Sequence, residues 1–447
     1  MTGGFFTKAK RDASDSGGRR FAKSLPVRAD RRWGVLAVLL ACLAVTLFVQ
    51  FVLLDSIRAG DFEVYRLGSE RAFAGEDVYD MLLHGRWTPA QGIPFTYTPF
   101  AALFLWPTTW FSTSVAVTWW NVLVMASLAV SLQCVWADVR RRTPRPDGKL
   151  GLLWDGDRWP WILAGLVLLL TASNLVPYHL VRGQINLLLM GMCLVDVARR
   201  DDTRLGRWLP RGTLIGIAAA IKLTPFLFLV QFLVIKQWRL AGWTAVGAGA
   251  ATAAGFAFFP KMSWHFCTEK VWHLSSSVAY DPRMFASSGN GSVQGAVAFF
   301  GGPMWLGSAL AGLLCAGGIW CARAAFAARG LLASTIVAGL TATLVTPVSW
   351  IHHAVFLFPA VAMLLMDGGR TARRIAAVLA VVLFIPGQTI ADHLLAAHQW
   401  WLWPLALPLR FAQSASEVCA VVLLAAAPAV AGWTRDEPQP VSRAAMA

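Results

Sequence analysis

Long uncharged apolar runs, separated by short groups of Lys and Arg, constrain this chain more than any other feature. A run that fills a bilayer must satisfy its own backbone hydrogen bonds, so each is expected to be helical. The first, "WGVLAVLLACLAVTLFVQFVLL", covers 33–54 with 22 residues. That is enough to span, too long for the apolar part of a signal peptide, and followed by no small-x-small cleavage site. Further runs at about 114–137, 160–178, 185–198, 240–260, 303–322, 331–348, 352–366, 375–391 and 413–432 bring the candidate spans to ten. Nine Lys or Arg in residues 1–32, and the groups at 140–149, 199–211, 236–239, 323–329 and 370–374, with Arg435 and Arg443 in the tail, belong on the cytoplasmic side. A multi-pass plasma-membrane protein with both termini in the cytoplasm follows. With 57% hydrophobic and 14% charged residues, the chain has too little charge to cover a soluble globule. Its net charge of +15 is dispersed over loops and forms no continuous face, so membrane lipids and not nucleic acid are the expected surroundings. Trp33, Trp159, Trp161, Trp238, Trp243 and Trp433 flank apolar runs as headgroup anchors.

Two stretches break the simple alternation. A full crossing by 95–112 would put the basic 140–149 group on the wrong side, so a short or partly inserted segment is expected there. The stretch "GTLIGIAAAIKLTPFLFLVQFLVIKQWR" has basic groups at both ends, which implies two short helices meeting around Lys222–Pro225. Broken helices persist inside a membrane only where protein or a water-filled cavity surrounds them. The expected architecture is all-α: about ten full spans plus short broken or re-entrant helices. A basic tail occupies 1–32 and one transmembrane domain 33–432, with large exoplasmic loops at 55–112 and 261–302 and a cytoplasmic tail at 433–447.

This topology puts all eight histidines on or next to the exoplasmic face: His84, His179, His265, His273, His352, His353, His393 and His398. The same face receives residues 55–80, which hold seven of the 24 carboxylates, and the short link "PYHLVRGQ" at 177–184, expected as a loop between spans. No Walker loop, dinucleotide fingerprint, zinc-protease helix or nucleophile elbow is present, so nucleotide-driven transport, nicotinamide chemistry and common hydrolases lack support. Six of the seven cysteines lie in or at the ends of apolar runs without a C-x-x-C pair, and neither a disulfide framework nor a zinc site is expected. A carboxylate-rich loop facing histidines and cations suits transfer of a group from a lipid phosphate to an alcohol. The carboxylate takes the attacking hydroxyl's proton while cations and donors hold the departing phosphate.

The blocks "GDFEVYRLGSERAFAGEDVYD", "PFTYTPFAALFLWP", "VRGQINLLLM", "AAAIKLTPFLFLV", "SSGNGSVQG" and "TPVSWIHHAVFLFP" follow in order over residues 60 to about 366. In this the sequence resembles the actinobacterial polyprenol-phosphate-mannose-dependent mannosyltransferases of glycosyltransferase family 87. The resemblance implies the C-type glycosyltransferase fold and an active site on the outer face. It also implies inverting transfer of a hexose, mannose in the family, from a polyprenyl phosphate to a glycolipid or lipoglycan acceptor through α-(1→2) linkages. Residue by residue, it implies Asp61 in "GDFEVY" as general base and the pair His352 and His353 at the donor phosphate. Arg182, Gln184 and Asn186 of the 182–186 link and Lys222 of "KLTP" are the further candidates for substrate binding.

Where relatives carry Gln and a bulky residue in the block "SSGNGSVQG", this chain has Gly291 and Val293, which points to a changed sugar or acceptor. Glu63, Glu70, Glu76 and Asp77 are expected on solvated helix faces. Lys222 has an ordinary alternative use, reaching cytoplasmic headgroups. The apolar stretches 100–111 and 398–411 suit either lipid contact or an isoprenoid groove. No set of closely spaced carboxylates suggests a divalent ion, and no cofactor is implied. The alternatives are an arabinosyl or glucosyl transferase of the same fold, or a transporter or flippase for lipid-linked sugars, although no repeat relates the two halves.

Overall fold

A computed structural model describes residues 27–52, 59–146, 148–201, 204–273, 285–396 and 400–426. Residues 1–26 of the expected 1–32 tail, the expected tail at 433–447, part of the 261–302 loop, and His398 lie outside the described residues, while residues 27–32 are helical and not a separate tail. Helices α1 (Val27–Val52), α2 (Gly60–Phe73), α3 (Pro99–Leu105), α4 (Thr113–Arg142), α5 (Trp159–Leu170), α6 (Leu175–Arg182) and α7 (Asn186–Ala198) form the first half. A hairpin of β1 (Leu82–Leu83) and β2 (Ile93–Pro94) sits between α2 and α3, with Leu82 opposite Pro94 and Leu83 opposite Ile93. Helices α8 (Arg204–Trp208), α9 (Thr213–Ile221), α10 (Leu227–Val234), α11 (Trp238–Phe258) and α12 (Pro260–Thr268) follow. The last group is α13 (Val293–Phe299), α14 (Met304–Arg329), α15 (Leu331–Val345), α16 (Leu357–Asp367), α17 (Arg370–Val382), α18 (Gly387–Ala396) and α19 (Trp403–Ala425).

Among the described residues four helices are long and apolar enough to cross a membrane, or six if each of two bent pairs counts as one span, against the ten expected. Part of the difference lies in what the shorter runs do. Helix α15 has 15 residues and is buried on every face from Leu332 to Leu344, so its uniform apolarity reports a protein interior. Helix α7, 13 residues long, is similarly enclosed, burying Leu187, Leu188, Leu189 and Met190 in succession. Helices α1 and α14, by contrast, bury only 28% of their apolar windows, leaving a broad face to lipid.

At three breaks, hydrogen bonds from side chains or neighbouring segments take up backbone groups that the break frees. The α5–α6 pair bends by 76°, and there the Ser173 hydroxyl donates to the Leu170 carbonyl at 2.6 Å while accepting from the Val176 N–H at 3.2 Å. The α17–α18 pair bends by 59°, and the two bends are tied together, the Asn174 N–H donating to the Leu383 carbonyl at 2.9 Å. At the break after α9, Lys222 is extended and Thr98 donates its hydroxyl to the Ala220 carbonyl, so the 95–98 segment caps that helix. The 95–112 stretch is the short helix α3 followed by a 3₁₀ turn, Trp106–Trp110.

The opposite end of the bundle is held by buried charge. Arg329 at the end of α14 donates to the carbonyls of Leu424 at 2.6 Å and Ala426 at 2.5 Å. It also lies 3.4 Å from Asp367, which Arg142 reaches at 3.0 Å. Arg329 thus ties α14, α16 and α19 together at their ends, where its charge complements the C-terminal carbonyls of α19, and Arg142 adds α4 through Asp367. Replacing Arg329 by Met leaves Asp367 and those carbonyls under-paired in a buried setting. We expect a loss of about 3 kcal/mol in detergent unfolding experiments, and a much smaller loss for Arg142→Met, whose side chain is partly solvated.

Candidate active site

Helix α2 begins the site. Phe62, Tyr65, Ser69 and Ala72 form its buried stripe, with Phe62 against Trp120 (ring centroids 5.6 Å apart) and Tyr65 edge-on to Tyr97 at 5.0 Å. Asp61 lies in the first turn, where the helix N-terminus favours a carboxylate. Glu63 departs from the solvated position expected for it. It is buried, and its two oxygens accept the N–H groups of Arg86 (2.8 Å) and Trp87 (2.6 Å), clamping the hairpin segment onto α2. Glu70 pairs with Arg66 at 3.5 Å and Glu76 with Arg71 at 3.1 Å.

The link at 177–184, expected as a loop, is instead largely the helix α6, ended by Gly183 at φ +67°. A Cβ at Gly183 would stand 2.5 Å from that of Phe62, so this position demands glycine both for its left-handed backbone and for the close approach of α2. Trp120 reinforces the turn by donating its indole N–H to the Gly183 carbonyl at 2.9 Å. His179 is buried and accepts the Leu187 N–H at 3.2 Å, capping α7 from the side. As a result Gln184 reaches Asp61: its amide nitrogen donates to Oδ2 at 2.8 Å. Its carbonyl oxygen accepts from Asn186 at 3.1 Å and from the Tyr65 hydroxyl at 3.4 Å. Asn186 also donates to the His352 carbonyl at 3.0 Å, and its Oδ1 accepts from Lys222 Nζ at 2.9 Å. Lys222 therefore does not reach for headgroups; it extends into the same network, 5.5 Å from the Tyr97 ring centroid.

These groups converge on a cavity of about 770 Å³ lined by all seven nominated residues: Asp61, Arg182, Gln184, Asn186, Lys222, His352 and His353. Asp61 is its one carboxylate among the described residues, facing the cations Arg182 and Lys222. Burial pushes the Asp61 carboxyl above its ordinary value, opposed by Arg182, the Gln184 hydrogen bond and Lys222. The histidines differ. His353 accepts the Trp350 N–H on Nδ1 at 3.2 Å, which puts the proton of the neutral ring on Nε2, ready to donate. His352 is 4% exposed, stacks on Tyr178 at 5.6 Å, and has no hydrogen-bond partner on either ring nitrogen.

The remainder of the cavity is apolar. Leu189, Met190 and Cys193 of α7, Pro225 to Phe228 and Val230 at the break and on α10, and Ala342 and Val345 of α15 form its walls. Phe226 and Val230 are also 48% and 41% exposed, so this wall extends to the outer flank of the bundle. Neither 100–111 nor any described residue of 398–411 lines the cavity. Gly291 and Val293 are likewise absent from the lining. Their block braces it: the Gly291 N–H donates to the Ser349 carbonyl at 2.6 Å, and Asn290 accepts the Ser349 N–H at 2.9 Å, fixing the turn that presents Pro347, Val348 and Trp350. Tyr65, Tyr97 and Tyr178 complete the lining, with His179 supporting it from behind through α7. They were missed because their signal is three-dimensional.

Away from the cavity, Asp77, Asp80 and His265 offer possible ligand atoms within 4.8 Å of one another, a grouping the sequence spacing did not suggest. His265 bonds Asp77 at 2.7 Å, and Lys270 lies 3.6 Å from Asp80, so the group links the α12 region to the segment after α2 through a hydrogen bond and an ion pair.

The sequence profile of glycosyltransferase family 87 matches residues 95–347, a stretch that contains Arg182, Gln184, Asn186 and Lys222 and flanks Asp61 and the histidine pair. A polyprenol-phosphate-mannose-dependent alpha-(1-2)-phosphatidylinositol mannoside mannosyltransferase of Mycobacterium tuberculosis is 31% identical over 360 residues, covering 76% of this chain and 79% of its own. The protein of the same description from Mycolicibacterium smegmatis is 30% identical over 328 residues, covering 67% and 68%. A pentamannoside mannosyltransferase of that organism is 26% identical over 326 residues, covering 71% and 72%. No solved structure matches the chain significantly. The profile spans more than half of the 447 residues, and the relatives align over most of their own length; the chain belongs to glycosyltransferase family 87.

Proposed function

We propose that this membrane glycosyltransferase transfers a mannosyl group from polyprenyl phosphate to a phosphatidylinositol mannoside or related lipoglycan. The reaction takes place on the exoplasmic face, with inversion and formation of an α-(1→2) linkage. The observation that carries this reading is the single cavity in which one carboxylate, Asp61, faces Lys222, Arg182 and the histidine pair, with an apolar extension beside α10. The lipid-linked substrates and the sugar follow the descriptions of the mycobacterial relatives. The exoplasmic placement follows the distribution of Lys and Arg between the apolar runs.

In this reading the acceptor hydroxyl attacks the anomeric carbon while Asp61 takes its proton. The bond from that carbon to the phosphate oxygen breaks on the opposite side, and the polyprenyl phosphate leaves with the electron pair. Lys222 and Arg182 neutralise the growing phosphate charge, and His353 donates through Nε2–H. The isoprenoid chain lies against Phe226, Leu227 and Val230, where the cavity wall meets the outer flank. A transporter needs no general base, so an acceptor extended by purified protein in detergent, with no membrane to cross, separates the two functions. Product sugar and linkage analysis separates mannosyl from arabinosyl or glucosyl transfer.

Asp61→Asn keeps the size and the Gln184 contact of the side chain but removes its basicity. We expect turnover of a polyprenyl-phosphate sugar to fall about 10²- to 10⁴-fold with the protein still folded; undiminished turnover sinks the assignment. The phosphate end of the cavity is supplied with lysine and arginine, and its lining has no second carboxylate to complete a divalent-ion site. Transfer after exhaustive chelation is therefore expected to match that of untreated enzyme, and a loss restored by added Mg²⁺ or Mn²⁺ would contradict this.

A further inference from the structure

We infer that Gln184 is a positioning residue: with Asn186 it forms a one-directional hydrogen-bond relay from Lys222 that fixes the Asp61 carboxylate and leaves Oδ1 as the oxygen that receives the proton. This rests on Asp61 being the base and assigns the two amides a task other than contact with substrate.

The direction of the relay follows from its ends. Lys222 has only hydrogens to offer, so the Asn186 group facing it at 2.9 Å is the carbonyl oxygen. The Asn186 NH₂ is thereby turned to two acceptors, the His352 carbonyl at 3.0 Å and Gln184 Oε1 at 3.1 Å. Gln184 must then present its own NH₂ to Asp61 Oδ2, at 2.8 Å. Both amide hydrogens of Asn186 and its Oδ1 are committed within the protein. The two side chains are only 9% and 4% exposed, respectively, and have little capacity left for a sugar.

The relay has a chemical consequence. A proton on Oδ2 would face the Gln184 NH₂, which cannot accept it, so the hydrogen bond favours the ionised carboxylate and directs protonation to Oδ1. The other groups around Asp61 are Arg182 from α6, Lys222 from the α9 break, Tyr65 from α2, Tyr97 from the segment before α3, and His352 and His353 from the turn before α16. The direct hydrogen bond to the carboxylate comes from Gln184. Burial raises the carboxyl above its ordinary range, so the wild-type enzyme should lose turnover as pH falls through a value above that of a free aspartate. Loss of the Gln184 donor moves that limb higher still, because the charged form loses its partner.

The test is the pH profile of kcat for wild type, Gln184→Leu and Gln184→Glu, in full-length protein in detergent with a polyprenyl-phosphate sugar. Gln184→Leu is expected to lower kcat at least tenfold, to change KM for the donor less than threefold, and to move the acid limb up by about one pH unit or more. Gln184→Glu, of the same shape, puts a second carboxylate against Asp61 and moves the limb up further, so it serves if the Leu variant does not fold. A lowered kcat with an unmoved acid limb in either folded variant overturns the positioning role and leaves Asp61 as base. A fully active Asp61→Asn overturns the base itself.

Discussion

The close approach of Gly183 to Phe62 is the constraint on which the polar end of the cavity depends. Only a residue without a Cβ turns the chain there, ends α6, and lets α2 lie against the turn. That contact sets Asp61, next to Phe62, beside Gln184, next to Gly183. The hydrogen bonds then run on through Asn186 to Lys222. Trp120 and His179 hold the two flanks of the turn through the Gly183 carbonyl and the Leu187 N–H. The proposed catalytic constellation, drawn from three separate segments, is thus positioned by packing, as the preorganisation required for fixed charges to act on a developing phosphate demands.

The second constraint is that broken helices must satisfy the backbone groups they free. Thr98 caps α9, Ser173 spans the α5–α6 bend, and the Asn174 N–H joins that bend to Leu383. Such partners are what allow irregular backbone to persist among membrane-type helices. The break at Lys222 thus has two effects. It aims the ammonium group at Asn186, and it starts the apolar wall that α10 continues towards the flank of the bundle.

The helical, membrane-type character of the chain was legible in its apolar runs, and the break at Lys222–Pro225 in the basic groups and proline around it. All seven nominated residues meet on one cavity, though the family's motif blocks, more than any spacing, pointed to them. Three things were hidden for identifiable reasons. An apolar run such as α15 looks the same whether lipid or protein surrounds it, so counting runs could not give the number of spans. The 177–184 link reads as polar loop because His179 and Arg182 interrupt it, yet His179 is buried as a cap for α7. Glu63 resembles its acidic neighbours in sequence, and only the folded hairpin shows it bound to two backbone N–H groups.

The proposed division of the cavity, base at one side and phosphate cations at the other, is tested most directly by a cryo-EM structure with a non-transferable polyprenyl-phospho-sugar analogue. The account predicts the phosphate within hydrogen-bond distance of Lys222 and His353, the isoprenoid chain along Phe226 and Val230, and the anomeric carbon facing Asp61. A phosphate bound outside this cavity, or a sugar turned away from Asp61, would contradict it.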